Sequence, residues 1–533
     1  MVCFQQHNRL FLLVIFCLTF SFGACSSGGK SKSADKTPAP FTISAPTGVD
    51  ITQVAPGTLI ESGPISITGI DAATNVSISG GEYAVDNETS FGTSPRTVKP
   101  TTIRVRVRSS TKAGQSATAV LNVGGVTASF TVTTEADTTP PEVAILFPPP
   151  ASMTEGQTLF LRGTVKDVHG TLSEGAVTVN GVEAELELNA TADEGTWSVT
   201  VDLALGDNTL TVTAEDASGN SNAEESVSSR RVAAIAGESF PDNQNPFFSA
   251  FKADIGMLNE KLTAFVTDDS IDRPGVVAVD LATGARTVVA DNQGVEESLQ
   301  FEEPQAVHVG SNEKLYVSDY SSSILEIDVV SSSRRKIAEA GGSSYSNRPL
   351  GMHLDGNQLY VADDQRIFIA NIDTLQQHVF SGVVEEIPDS QSPFGDLWGM
   401  AFLGSKIYVT DYDDQIFSVD RSTGARQLLS KLGIVNAAIV DVLKHPGSDE
   451  LIYLEGGATD IGIYKLNVVT GISSLLYGSA TADDLNVPQE VWGIATHEDV
   501  GYVLAIDRAQ RAVIAIDLET GKRLVISKSV SIE

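Results

Sequence analysis

Two sets of side-chain oxygens recur along the C-terminal half of the chain, and each set could either ligate a cation or hold a turn. Asp280, Asp328, Asp373, Asp420, Asn467 and Asp517 fall in VAVDLATGARTVV, LEIDVVSSSRRKI, IANIDTLQQHVF, FSVDRSTGARQLL, YKLNVVTGISSLL and IAIDLETGKRLVI. Asp268, Asp319, Asp363, Asp411, Glu455 and Asp507 fall in LTAFVTDD, KLYVSDY, QLYVADD, KIYVTDY, LIYLEGG and YVLAIDR. An Asp or Asn closing a strand accepts hydrogen bonds from the amides of the following turn, and the Gly of Thr-Gly supplies a left-handed residue before the next strand. Turn capping is therefore the expectation for the first set, ahead of six separate ligands. Asp137 and the DASGN segment from Asp216 to Asn220 also offer oxygens of the kind Ca²⁺ takes, although a plain Asp/Gly turn needs nothing more. HExxH, GxSxG, GxxxxGK[ST] and CxxC are all absent from the sequence. His308 and His353 occupy one position in adjacent repeats, where the other repeats carry Ala or Val, so packing is the expectation there.

The elements that must position these residues follow from their spacing. The first set recurs at intervals of about 45–50 residues, and PQAVHV, PLGMHL, LWGMAF, NAAIVD and VWGIAT precede the second set in turn. Each unit is therefore three to four short strands, a period that fits propeller blades and is too long for a rung of a β-helix. Six units fit between residues 245 and 530, with FFSAFKADI completing the first blade, and closure removes exposed sheet edges. Innermost strands of a propeller converge at one mouth of a central channel. Their first residues include Glu303, Arg348, Leu397, Asn436 and Glu490, with Trp398 and Trp492 close behind. The two tryptophans either plug the space between blades or offer a sugar- or peptide-facing surface.

The strand phrases resemble the NHL and SMP-30/gluconolactonase group of six-bladed propellers, in which a Pro-x-Gly-Ile-like strand precedes a LYVAD-like strand. The resemblance implies a divalent-metal site, with Glu303 at the family's Glu position, Asn436 at its Asn and Glu490 replacing its Asp. Two carboxylates and an amide oxygen suit Ca²⁺, and a metal-bound lactone carbonyl would be polarised toward hydrolysis.

Upstream, residues 47–135 read as short alternating strands. Ile103, Val105 and Val107 alternate with Arg104, Arg106 and Arg108, which places apolar groups on one sheet face and cations in water. Gly124 and Gly125 supply positive φ for a hairpin. The run DTTPPEV interrupts the pattern as an extended spacer. Residues 137–235 then give TLFLRGTVKD, AVTVNGVEAEL, GTWSVTVDL and NTLTVTAEDASGN at sandwich spacing, with Trp197 in the core. This second segment resembles the bacterial immunoglobulin-like domains strung as stalks on exported proteins, and the first is similar to a related module. The expected fold is all-β: two immunoglobulin-like β-sandwiches followed by a six-bladed β-propeller over residues 240–533.

The N-terminus has the order of an export signal: Arg9, the apolar run Leu10 to Phe22, then Gly23, Ala24 and Cys25. The run is shorter than the about 20 residues of a membrane-spanning helix. Phe22-Gly23-Ala24-Cys25 resembles the lipobox of bacterial lipoproteins, which implies removal of residues 1–24 and lipid attachment at Cys25. Ser26 after the cysteine favours, by the same resemblance, the outer membrane of a Gram-negative bacterium. Cys3 and Cys17 lie in the removed part, so no internal disulfide is expected. Residues 25–46, rich in Ser, Gly, Lys and Pro, read as a flexible tether. The formal net charge of −33 opposes binding to nucleic acid or to an anionic lipid surface.

Two functions remain open on this reading. One is a cell-envelope lipoprotein, anchored to the membrane by its lipid, that displays a propeller for an unidentified protein or carbohydrate ligand. The other is a tethered, Ca²⁺-dependent lactone or ester hydrolase of the SMP-30 kind. Propellers host many unrelated activities, so the fold does not choose between them.

Overall fold

A computed structural model of the chain describes residues 34–530 apart from 223–224, 311–312, 340–348, 383–392, 432–437, 458–460 and 479–484. Cys25, Arg348 and Asn436, and with them the leader and most of the tether, lie outside the described residues. Strands account for nearly all of the regular structure, and no described helix is long and apolar enough to cross a membrane. The chain divides into two compact units, residues 1–136 and 137–533.

The first unit is a sandwich of two four-stranded sheets. Alternation along Thr101–Arg108 puts Ile103, Val105 and Val107 into a core with Val76, Leu121 and Phe130. The cations opposite do not simply enter water. Arg104 and Arg106 are half-buried, pair with Glu61 at 2.5 Å and Glu82 at 2.6 Å, and lie over the Phe91 ring. Gly124 and Gly125 both adopt positive φ in the hairpin between Ser116–Val123 and Val126–Thr133.

The second unit opens with another sandwich. One sheet holds Glu185–Leu188, Glu194–Asp202, Thr158–Lys166 and Glu142–Phe147 in that order. Trp197 is buried between the sheets, and its Nε1 donates to the Thr164 carbonyl at 3.1 Å. Gly163 lies under that indole where the register shifts between Arg162 and Gly163, and a Cβ there would collide with the ring and with the Ala144 carbonyl.

Six antiparallel four-stranded sheets follow in chain order, each built from consecutive strands, as a six-bladed propeller requires. Their innermost strands are Ala250–Leu258, Pro304–Val309, Pro349–Asp355, Leu397–Leu403, Ala438–Lys444 and Val491–Ala495. The FFSAFKADI segment thus supplies the innermost strand of blade 1 itself.

The second sandwich is more than a spacer. Its strand Ala151–Thr154 runs parallel to Glu225–Arg231 on one side and pairs, at Met153, with Val525 in the outermost strand of blade 6 on the other. Sandwich and blade therefore share one nine-stranded sheet. They also share a core, in which Phe147, Leu161 and Trp197 join one cluster with Leu504, Val513 and Ile526.

Most recurring turn oxygens behave as the sequence implies. Asp280 accepts from the Ala282 amide, Asp328 from Ser331, Asp420 from Ser422 and Thr423, Asn467 from Val469 and Thr470, and Asp517 from Thr520. Blade 3 departs from the aligned position. There the cap is Asn371, which accepts from the Asp373 and Thr374 amides, so Asp373 donates to the turn instead of closing it. Leu375 takes the left-handed conformation that Gly284 provides in blade 1, and the missing glycine displaced the alignment by two residues.

Candidate functional site

The second carboxylate set builds the mouth of the propeller. Asp319 accepts from the Glu302 and Glu303 amides, Asp411 from Gly395, Asp507 from Gln489, and Asp268 from Phe248 and Ser249. Each of these carboxylates ends a second strand and holds the loop leading into its neighbour, the innermost strand. Burial pushes the carboxyls of Asp268, Asp411 and Asp507 above their ordinary range. Sequence spacing placed these residues in register but gave no sign of the amides they hold.

Beyond each tie, every innermost strand carries a register shift at its start, between Ala250 and Ala253, Pro304 and Val307, Pro349 and Gly351, Leu397 and Gly399, Ile439 and Asp441, and Val491 and Gly493. A bulge re-aims the side chain it contains. Here the bulged residues include Phe251, Lys252, Trp398, Val440 and Trp492.

These residues meet on the axis. Trp398 of blade 4 and Trp492 of blade 6 stack with ring centroids 5.7 Å apart, a distance that blades separated by blade 5 reach only at the channel. Phe251 of blade 1 lies 6.3 Å from Trp492, and the exposed Tyr412 stacks on Trp398 at 5.9 Å. Trp492 Nε1 donates to Glu490 Oε1 at 2.9 Å. Both tryptophans are half-buried and pack against the core of blades 5 and 6, so they plug the channel and keep an open face as well.

Lys252 crosses the channel itself. From blade 1 it donates to the carbonyls of Trp398 and Val440, both at 3.1 Å, and its Nζ lies 3.4 Å from Asp441 Oδ1. Asp441 also accepts from the Val442 and Ile494 amides. Burial lowers the Lys252 ammonium and raises the Asp441 carboxyl, and each partner opposes the other's shift. The axis is thus occupied at that point by an ammonium together with its carboxylate partner.

Lys252 and Asp441 also line a chamber of about 270 Å³, with Asp254, His308, His353, Phe402 and Lys444 among its other walls. His308 Nδ1 is 3.0 Å from Asp254, and its ring lies 5.0 Å from His353, which stacks on Phe402 at 4.0 Å. Burial pushes His353 down to about 4. The matched histidines are thus interblade packing.

Of the residues singled out by sequence, Trp398, Trp492 and Glu490 come together at the mouth. Glu303 opens instead onto a groove of about 1150 Å³ beside blades 1 and 2, with Asp268, Arg273 and Phe301 in its wall. Among the described residues, neither Glu303 nor Glu490 belongs to a group of three acidic, His or Cys donors close enough to share an ion. Asp396 stands just before the innermost strand of blade 4, and its pairing with Asp364 left no sign in the sequence. Burial and the adjoining Asp396 raise Asp364 to about 6, so this carboxylate pair keeps a proton only below about pH 6.

Comparison with known proteins yields one family match and several distant structural likenesses. Residues 141–228, within the second sandwich, are similar to the family described as Glucodextranase, domain B. No curated protein sequence matches the chain. Similar solved structures include a structural-genomics protein of unknown function from Bacteroides thetaiotaomicron, 13% identical with a TM-score of 0.37, covering 74% of this chain and 99% of that one. Another is an auxiliary nutrient binding protein from Bacteroides ovatus, 15% identical with a TM-score of 0.33, covering 73% of this chain and 86% of that one. A chain of the nidogen/laminin complex is 15% identical with a TM-score of 0.37, covering 53% and 93%. These likenesses are too distant to bear on function, which rests on the geometry of the site.

Proposed function

We propose that this chain is a cell-envelope lipoprotein whose propeller binds a carbohydrate on the aromatic cap of its channel. The carrying observation is the Trp398–Trp492 stack on the propeller axis, continued by Tyr412 and bordered by Glu490. Indole and phenol faces accommodate the C–H faces of sugar rings, and flanking carboxylates accept hydrogen bonds from hydroxyl groups. Lys252 and Asp441 fill the channel behind the cap, so a ligand lies across the mouth instead of threading through. Cys25 supports the placement in the envelope, since its lipobox-like setting is that of an acylated N-terminus.

The chain provides its own reporter. It has three tryptophans, of which Trp197 is sealed in the sandwich core and the other two form the cap. Tryptophan emission should therefore be quenched saturably by members of a soluble oligosaccharide panel, and Trp492→Ala should abolish the response. Quenching by lysine-rich peptides with none from any oligosaccharide would overturn the carbohydrate reading. The anchor is tested separately by labelling expressing cells with a fatty acid: incorporation lost in Cys25→Ser is expected, and label retained in that variant would refute attachment there.

A further inference from the structure

The strongest feature outside the propeller lies where the second unit begins. Asp137, Asp167 and Asp216 each present a carboxylate oxygen, and these oxygens all lie within 4.8 Å of one another. Three segments bring them together: the Pro-rich run before the first strand of the sandwich, the end of the strand Thr158–Lys166, and the turn after Gly206–Ala214. Hydrogen bonds hold the frame. Asp167 Oδ1 accepts from the His169 and Gly170 amides at 3.2 and 2.9 Å. Asp216 accepts from the Ser218 and Asn220 amides, and Asn220 Nδ2 bonds both Asp216 Oδ2 at 2.8 Å and the Asp137 carbonyl at 3.2 Å.

Hydrogen bonding leaves the centre unsatisfied. Asp167 is only 1% exposed, yet its Oδ2 has no partner, and neither has the buried Oδ2 of Asp137. Both oxygens converge beside Gly170, where a Cβ would collide with each of them. Buried carboxylate oxygens are rarely left without a donor or a cation, because desolvation without compensation is costly. No lysine or arginine is paired with any of the three among the described residues.

We infer that Asp137, Asp167 and Asp216 form a Ca²⁺ site that fastens the start of the second unit to its sandwich. An all-oxygen set matches a hard cation, and Ca²⁺ accepts mono- or bidentate carboxylates with carbonyls and water completing six to eight ligands. Three segments distant in sequence become one cross-link, so the ion stabilises the folded sandwich against the separated chain. Extracellular modules commonly bind Ca²⁺ with dissociation constants of about 10⁻⁴–10⁻³ M, a range suited to an exported protein.

The test uses the full folded chain and Ca²⁺ alone. Melting curves with EGTA and with about 5 mM CaCl₂ should differ by several degrees, and calorimetric titration should show a saturable site. Asp167→Asn preserves the Oδ1 acceptor and should weaken binding at least tenfold, as should Asp216→Asn if Asp167→Asn fails to fold. Glu303→Gln should retain the full shift, which separates this site from any in the propeller. No Ca²⁺-dependent shift in the unmodified protein, or a shift of equal size in the folded Asp167→Asn or Asp216→Asn variant, would overturn the assignment.

Discussion

Arg162, on the second sandwich, and Asp517, at the tip of blade 6, form a buried ion pair with 2.6 Å between Nη2 and Oδ1. Nε donates to the same oxygen at 2.7 Å, Nη2 donates to the Gly501 carbonyl at 2.8 Å, and Nη1 reaches Glu519 at 3.1 Å. Together with the shared sheet and core, this pair makes the sandwich part of the propeller's structure.

Removing one partner of such a pair leaves the other charge buried and uncompensated. Arg162→Met is expected to lower stability by about 3 kcal/mol. In urea it should also split the unfolding of the second unit into two transitions, because the sandwich loses its strongest polar tie to blade 6. An unchanged midpoint with a single transition would show that the shared sheet and core alone provide the coupling.

Glu326, in blade 2, carries an acid-sensitive contribution. Burial by itself would raise its carboxyl, but Arg335 at 2.8 Å and Lys314 at 2.7 Å overcome that effect and hold it at about 2. Its folded value is depressed, so the unfolded state binds the proton more readily, and the stabilisation is present above the ordinary value near 4.5 and lost as pH falls toward 2. Glu326→Gln should therefore cost about 2 kcal/mol at neutral pH, allowing for screening of its half-exposed partners, and almost nothing near pH 2. Chemical melts across that range read the difference directly.

Asp364 has the opposite sign. Burial and Asp396 raise it to about 6, so the folded state binds the proton more readily. Stability is highest below the ordinary value near 3.8 and falls as pH rises through about 6. Asp364→Asn is accordingly expected to stabilise by about 1 kcal/mol at pH 8, given partial exposure, and to be neutral at pH 4. Destabilisation at pH 8 would mean that the ionised carboxylate has a structural partner outweighing its repulsion from Asp396.

Legibility followed locality. Blades were readable because Asp or Asn caps and left-handed residues act within a few positions, and the one misplacement, Asp373 for Asn371, came where Leu375 stands in for glycine. The bulges left no trace, since a register shift depends on two strands and not on the residue displaced. Trp398 and Trp492 could be named from their shared position, but their stacking across blade 5 needed closure of the ring. Nothing around Arg162 signals its ion pair, because its partner lies 355 positions away. Asp137 and Asp216 stood out through their turn contexts, whereas Asp167, which completes the trio, followed a strand with no motif around it.

The Lys252–Asp441 pair offers a test of how the channel is held shut. Lys252→Met removes the cation but leaves the Asp441 carboxylate buried, with only the Val442 and Ile494 amides to support its charge. The expected cost is about 3 kcal/mol at about pH 8, easing toward acid because a protonated carboxyl needs no counter-charge. Asp441→Asn should also destabilise, since the Val442 and Ile494 amides donate to different carboxylate oxygens and an asparagine amide keeps only one of them as an acceptor, while the Lys252 ammonium loses its counter-charge. In the double variant Lys252→Met, Asp441→Asn, the buried charges vanish together, so most of the loss should be recovered and the two substitutions should couple by about 2 kcal/mol. A double-mutant cycle from urea melts at about pH 8 and pH 5 measures that coupling. Additive losses at both pH values would show that Lys252 acts through its bonds to the Trp398 and Val440 carbonyls, and that the aromatic cap, not the ion pair, keeps the bulged strands in register.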